Sequence, residues 1–452
     1  MHPFIVRKVI FPLHERLKGK ATYRHCKELE RTQWLSSDEL EELQLEKLRS
    51  HLAFAYSYVP YYRQLFDAHG LQPGGIQTLK EFAGVPYLTR DIIRNRFEDL
   101  KAQGWSGSAQ VMSTGGSTGS PVSVLVDSDR AAFTDAARLR AHRWYGVDIG
   151  AREIVLWGSP IELGRQDFIR SARDWLINSR LLSAFDLGAT ALTRYAHFIQ
   201  SYRPTKIYGY ASAVYLLASH MKREGWKANY GWPAVVFATA EPLFDFQRSV
   251  IESVFACPVA VEYGARDAGL MANQCPHGGL HVPCEGMVVE IDGPNGEGLG
   301  EIVVTNLYSK AMPIIRYRTG DLGEIDPTPC PCGRGLPRLK RVEGRRTDFI
   351  IAPDGRVLHA LAVIYILREI PGLKEFRVVQ ESITQITAQV VFEDGSPQQR
   401  CDFISSSLRR LLGNEVEVKV EVVAALPRVA SGKFRYVISK VADQHLRSVV
   451  TN

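Results

Sequence analysis

The chain has 452 residues, more than a single hydrophobic core usually organises, so at least two domains are expected. Hydrophobic residues make up 45% and charged residues 23%, a globular composition that excludes an extended disordered chain. The formal charge of +6 is spread along the chain and gives no footprint for a nucleic-acid partner, while a mild positive excess suits polyanionic substrates.

Residues 1–20 lack the long apolar core and cleavage site of a secretion signal, and no apolar run is long enough for a transmembrane segment; a cytoplasmic protein is expected. This stretch sets Ile5, Val6, Val9, Ile10, Phe11 and Leu13 beside Arg7, Lys8, Arg16 and Lys18. As a basic amphipathic helix it would suit a membrane surface, with Pro12 as an interruption, but most apolar helical stripes face a core, so packing on its own domain is expected. The spacing of Leu40, Leu43, Leu48, Leu52, Ala55 and Val59 predicts helix over 36–69, broken at Pro60, and a second helix is expected over 129–145 after a strand at 122–126. Strand candidates at 153–157, 206–208, 234–238 and 258–262 alternate with helical segments, which predicts α/β layers with a largely parallel sheet. Past Gly286, strands at 288–291, 301–305 and 323–325 joined by Gly- and Asp-rich turns predict a β subdomain. After Arg345 a helix at 361–369 and strands at 376–379, 385–392 and 416–423 make a small α+β module. The boundary falls at 344–348, giving domains 1–346 and 347–452.

Ser113-Thr114-Gly115-Gly116-Ser117-Thr118-Gly119-Ser120-Pro121 combines turn-permitting glycines with hydroxyls that donate to phosphate oxygens, so it can cradle a polyphosphate. It lacks the Gly-Lys-Ser/Thr ending of a P-loop, which argues against a Walker-type ATPase. The segment resembles the phosphate loop of adenylate-forming enzymes, and further segments match that superfamily in order, in its phenylacetate CoA ligase and CapK-like branch. Ala240-Glu241-Pro242 resembles the element near the adenine. Glu262-Tyr263-Gly264-Ala265-Arg266-Asp267 resembles the motif whose aromatic ring packs on adenine and whose acid helps hold Mg2+; relatives usually carry Glu where this chain has Asp267. Tyr317-Arg318-Thr319-Gly320-Asp321 resembles the motif whose Asp grips the ribose hydroxyls, a charge-assisted pairing suited to a carboxylate. Arg345 matches the ribose- and phosphate-facing Arg before the hinge, and Lys433, in Ser431-Gly432-Lys433, matches the catalytic lysine of the mobile C-terminal domain. Ser36 to Tyr62 and Val85-Pro86-Tyr87-Leu88-Thr89-Arg90 extend the likeness over nearly the whole chain.

The resemblance implies ATP bound through Ser113 to Gly119, Ala240 to Pro242, Glu262 to Gly264, Asp321 and Arg345, with Lys433, Asp267 and Thr118 as the catalytic groups. It implies an acyl-adenylate formed from a small carboxylic acid, then attack by a thiol. Coenzyme A is the expected acceptor; a carrier-protein thiol or a cell-surface polysaccharide acceptor, or a catalytically silent scaffold of the same fold, are the alternatives. Relatives often carry two consecutive Asp residues at the hinge, so either Thr347 or Asp348 is the pivot here. The segment 351–357 differs from the Arg-Gly-Val-Asn-type loop that helps form the coenzyme A channel in phenylacetate CoA ligases. Trp157, Tyr210 and Ser212 follow strand candidates and are read as acyl-pocket residues, aromatic walls that would suit an aryl acid, against the alternative of plain packing.

Cys275-Pro276-His277-Gly278-Gly279-Leu280-His281 and Cys330-Pro331-Cys332-Gly333 offer soft ligands in two knuckles. The preferred set is Cys275, His281, Cys330 and Cys332, with His277 and Cys284 as substitutes, and it resembles a Cys/His site of the same branch. Four protein ligands would make a closed structural Zn2+ site.

Overall fold

A computed structural model describes residues 1–113, 122–157, 167–184, 187–226, 232–294, 298–343, 349–368, 370–392, 398–424, 426 and 436–441. Thr114 to Gly119, Arg345, Thr347, Asp348 and Lys433 lie outside the described residues. The chain forms two compact units, one of Met1–Thr114, Val122–Gly150 and Ala260–Gly344, the other of Gly115–Pro121, Ala151–Val259 and Arg345–Asn452.

In the first unit the helix Ser37–Tyr58 starts at a capping box: the Ser36 hydroxyl accepts from Glu39 N while the Glu39 carboxylate accepts from Ser36 N. Pro60 costs nothing as the first residue of the next helix, Pro60–Ala68, where its missing N–H would have had no partner. Leu40, Leu48, Leu52 and Ala55 bury one face against the strands that follow Gly286. These are antiparallel: Met287–Asp292, Gly300–Asn306, Ile314–Asp326, Arg338–Glu343, Leu280–His281 and Gly269–Gln274 lie side by side in that order. Gly269–Gln274 pairs antiparallel in turn with Val259–Ala265, so the antiparallel run begins before Gly286, earlier than composition suggested. The strands Ala109–Ser113 and Ser123–Asp127 pair with Ser113 opposite Ser123, and bracket residues 114–121.

Near the start of the chain, Pro12 does not interrupt the helix. A π-turn over Val6–Ile10 lets Phe11 N bond Val6 O, one residue further back than in an α-helix, and the helix Phe11–Leu17 continues with Pro12 in its first turn.

The second unit contains a parallel sheet in the order Val235–Thr239, Lys206–Tyr210, Glu153–Trp157, Ser179–Ser183, connected through helices such as Ala189–Tyr202 and Ala211–Arg223. The strand Ser179–Ser183 was not foreseen. The C-terminal region has its own sheet: Glu417–Val422, Gln385–Phe392, Leu373–Ser382 and Val437–Ser439, with only the central pair antiparallel. Helices Ala360–Arg368 and Gln398–Leu412 supply Val363, Leu367, Ile404 and Leu408 to its core. Gln380, fully buried, accepts from Ile351 N at 3.0 Å, donates to Ile351 O at 2.6 Å and accepts from the Ser439 hydroxyl at 2.8 Å. Gln380→Ala would orphan both Ile351 backbone groups, so it is expected to cost about 2–3 kcal/mol, read as a lowered denaturant midpoint. An unchanged midpoint would contradict that role.

Candidate functional site

Arg90 reaches the motif strands by a long-range route. Leu88 N donates to Arg316 O at 2.9 Å and Leu88 O accepts from Arg318 N at 3.0 Å, an isolated parallel bridge to Tyr317. Thr89 then caps the short helix Arg90–Asn95. Arg90 Nε donates to the Tyr317 hydroxyl at 3.0 Å and Nη2 to Thr319 O at 2.9 Å, with Nη2 3.9 Å from Asp267 Oδ2. The Tyr317 hydroxyl in turn donates to Asp267 Oδ2 at 2.5 Å. Burial, reinforced by the Asp267 charge, pushes the Tyr317 phenol well up, so it remains a proton donor at neutral pH.

Asp267 is buried, and its Oδ1 accepts from Ala268 N at 3.1 Å. Its backbone oxygen accepts from Arg130 Nη2 at 2.8 Å; burial lowers Arg130 to about 10, which leaves it cationic at neutral pH. Tyr263 donates to Asp321 Oδ2 at 3.0 Å. Gly264 is required where it stands, because a Cβ there would lie 2.9 Å from Gly269 O across the hairpin. Glu262 is held in a two-point ion pair with Arg138, at 2.9 and 3.1 Å.

The structure thus links Tyr263 to Asp321 and Asp267 to Tyr317 and Arg90. Arg90 and Tyr317 were not expected as site residues; their signal was the polar run Thr89-Arg90 and the tyrosine inside the Asp321 motif, which do not reveal each other. A hard carboxylate oxygen with a second lone pair fits Mg2+, and Asp267 keeps such lone pairs beyond its two hydrogen bonds. Tyr317→Phe removes a bond to a buried carboxylate and is expected to cost about 1.5–3 kcal/mol of stability, measured by chemical denaturation. A loss below the measurement error would remove Tyr317 from this network.

In the second unit, Gly115 to Gly119 aside, the expected residues fall into two groups. Glu241 Oε2 accepts from Ser212 N at 3.1 Å, so it caps the first turn of the helix Ala211–Arg223, and Ala240 takes a left-handed backbone with φ +65°. Trp157 and Tyr210 stack with ring centroids 4.2 Å apart, while the Ser212 hydroxyl is buried with no hydrogen-bond partner among the described residues. Pro242 is half-buried beside Glu241 in sequence.

Cys275, His281, Cys330 and Cys332 come together in the first unit, their ligand atoms all within 4.8 Å of one another. Cys275 Sγ lies 3.7 Å from Cys330 Sγ, and Cys332 Sγ 3.3 Å from His281 Nε2. Zn–S bonds of about 2.3 Å in a tetrahedron imply S···S edges of about 3.75 Å, so the spacing fits zinc. His281 Nδ1 lies 3.2 Å from Leu336 O; donating there leaves Nε2 as the lone-pair nitrogen, facing the sulfurs. Burial and the neighbouring thiols push Cys275 up to about 12 and burial pulls His281 down to about 4, whereas hydrogen bonds from Arg334 outweigh burial and hold Cys332 below the usual thiol range; a cation is what would let the Cys275 thiolate persist beside it. Gly279 closes over the cluster: a Cβ would sit 2.8 Å from Cys330 Sγ and 3.1 Å from His281 Nε2. The substitutes stay apart, His277 exposed and Cys284 buried in the apolar core.

This architecture is the fold of acyl-CoA ligases: a 2-hydroxyisobutyryl-CoA ligase solved with its acyl-adenylate and CoA in the thioesterification state superposes with TM-score 0.61 at 21% identity, over 93% of this chain and 94% of that one. Residues 350–440 match the family model described as the CapK C-terminal domain. Over 435 residues, 94% of each chain, the protein is 23% identical to Protein CapK of Staphylococcus aureus. It is 28% identical over 345 residues to a phenylacetate-coenzyme A ligase of Aromatoleum evansii, spanning 72% of this chain and 74% of that one. The chain is therefore similar to CapK along nearly its whole length and to phenylacetate-CoA ligases over about 70% of it, on the fold of acyl-CoA ligases. Among the described residues no helix is long and apolar enough to cross a membrane.

Proposed function

We propose that the protein is an ATP-dependent carboxylic acid ligase that forms an acyl-adenylate with release of pyrophosphate and then transfers the acyl group to coenzyme A. The linked pair Tyr263–Asp321, beside Asp267–Tyr317–Arg90, is the observation that carries this reading.

The substrate carboxylate attacks the α-phosphorus of ATP; the new O–P bond forms as the bond to the departing pyrophosphate breaks. Asp321 accepts the ribose hydroxyls, with Tyr263 fixing the carboxylate from behind and Arg345 adding a second ribose and phosphate contact. The loop Ser113 to Gly119, Thr118 included, donates to the phosphates, and Asp267 holds Mg2+, whose chemistry is to neutralise the leaving group. Arg90 and Tyr317 orient Asp267. Trp157, Tyr210 and Ser212 line the acyl pocket, and Ala240 to Pro242 shape the adenine end. Residues 1–346 and 347–452 act as the two domains, pivoting at Thr347 or Asp348 so that Lys433 serves the first half-reaction only. Cys275, His281, Cys330 and Cys332 hold a structural Zn2+.

The acceptor has a second reading. The segment 351–357 departs from the loop expected of a coenzyme A channel, so a carrier-protein thiol or a polysaccharide group is the alternative acceptor. ATP–pyrophosphate exchange over aryl, arylacetic, fatty and amino acids, followed by acceptor assays, tests both. Exchange with transfer to coenzyme A supports the first reading and transfer only to a carrier protein the second; absence of exchange with every acid, and of ATP binding, would leave a silent scaffold.

A further inference from the structure

We propose that the helical segment over residues 3–17 docks on the surface of an anionic lipid bilayer. Its outward face carries Phe4, Ile5, Val9, Leu13 and Leu17, with relative exposures of 56, 45, 59, 57 and 80%. They recur about every fourth residue, so they form one continuous row. Expectation had this stripe packed on its own domain; the structure buries Val6 and Glu15 instead and leaves the apolar row in solvent.

The row is not a loosely seated segment. Arg7 pairs with Asp148 at 3.1 Å, Lys20 with Asp135 at 2.7 Å, the Tyr23 hydroxyl donates to Arg7 O at 2.6 Å, and the backbone at Gly150 approaches Pro3 and Val6 so closely that a Cβ would sit 2.6 Å from Pro3 O. One side of the helix is therefore fixed, and the other presents large apolar side chains that keep about half or more of their surface in solvent.

Charge decides between occupants. Lys8, Arg16 and Lys18 are exposed among the apolar residues, while the single acid of residues 1–20, Glu15, is 5% exposed and accepts from Thr22 N. A second copy of the chain would bring these cations against themselves. A bilayer rich in anionic headgroups satisfies both sets at once, apolar side chains in the acyl boundary and long basic side chains reaching to phosphates. This surface is independent of the proposed acid-ligase activity, and its test does not use that activity.

Flotation of the full chain with vesicles of phosphatidylcholine alone, or of phosphatidylcholine with phosphatidylglycerol, measures the docking. Binding is expected to the anionic vesicles, weakening with salt, and not to the neutral ones. Val9→Glu with Leu13→Glu is expected to lower the anionic partition at least about tenfold, and Lys8→Glu with Arg16→Glu by a similar factor. Each variant changes exposed side chains, and an unaltered melting temperature verifies that it folds. Equal binding to both vesicle types, binding to neither, or anionic binding untouched by the Val9 and Leu13 changes overturns the proposal. So does a dimer in sedimentation velocity that Leu13→Glu dissolves, which would make the face a contact between copies.

Discussion

Lys433→Ala is expected to lower acyl-adenylate formation by about 10²–10³, the usual loss when one preorganised donor to a developing oxyanion is removed. The attack of a carboxylate on the α-phosphate of ATP brings two anions together, so a cation at the oxygens between them acts on the barrier itself. Lysine suits a group that must arrive and leave, because it is a compact charge on a flexible stem. The two half-reactions separate this role from a structural one. ATP–pyrophosphate exchange reports adenylation, and single-turnover transfer from a supplied acyl-adenylate reports the second step. Exchange should collapse in Lys433→Ala while transfer falls less than tenfold, roughly, since no comparable charge develops there. Lys433→Arg tests geometry: it keeps the charge but spreads it over a planar fork, and partial recovery is expected. Equal losses in both half-reactions would contradict the assignment of Lys433 to adenylation alone.

What could be read from the sequence was local or compositional. Ser36 and Glu39 announce a helix start because a capping box is a four-residue device, and Pro60 announces the next start for the same reason. The parallel strands at Glu153–Trp157 and Lys206–Tyr210 are legible as apolar runs between helices. The Cys/His quartet is legible because metal sites need rare residue types close together in two turns. Arg90 was not, because only the bridge from Leu88 to Tyr317 brings it to Asp267, and nothing near Arg90 in the chain encodes a partner more than two hundred residues away. Glu262 read as a ligand from its motif, yet its ion pair with Arg138 depends on the helix Ser128–Arg143 lying alongside. Pro12 misled for a different reason: a proline interrupts an α-helix by clashing with the carbonyl four residues back, and the π-turn before it removes that clash. The exposed apolar row of residues 3–17 cannot be told from a buried one by periodicity, which records that a face is apolar and not what covers it.

The chain purified in metal-free buffer is expected to carry one equivalent of zinc, and Cys330→Ser to lose it together with more than about 3 kcal/mol of stability. Structural zinc contributes about 10–16 kcal/mol in isolated zinc-finger peptides, where it organises the whole fold. Here the strand Leu280–His281 is already paired on both sides, with Arg338–Glu343 and Gly269–Gln274, so only part of that free energy is expected to couple to folding. Acid should release the metal, because thiolates and imidazole must shed protons to bind it and regain them as pH falls. Gly279→Ala is the sharper test. It removes no ligand, yet its Cβ would press on Cys330 Sγ and His281 Nε2, so zinc affinity should drop by more than the stability of the metal-free protein, which must accommodate the same Cβ. Replacement by cobalt gives a readout apart from activity: a tetrahedral thiolate site shows strong visible absorption, which Cys330→Ser should abolish and Gly279→Ala perturb. With four protein ligands the ion has no open position for water, so zinc loss should lower the melting temperature without changing the turnover of molecules that remain folded. A metal-free chain of unchanged stability would mean that the four side chains converge for packing alone.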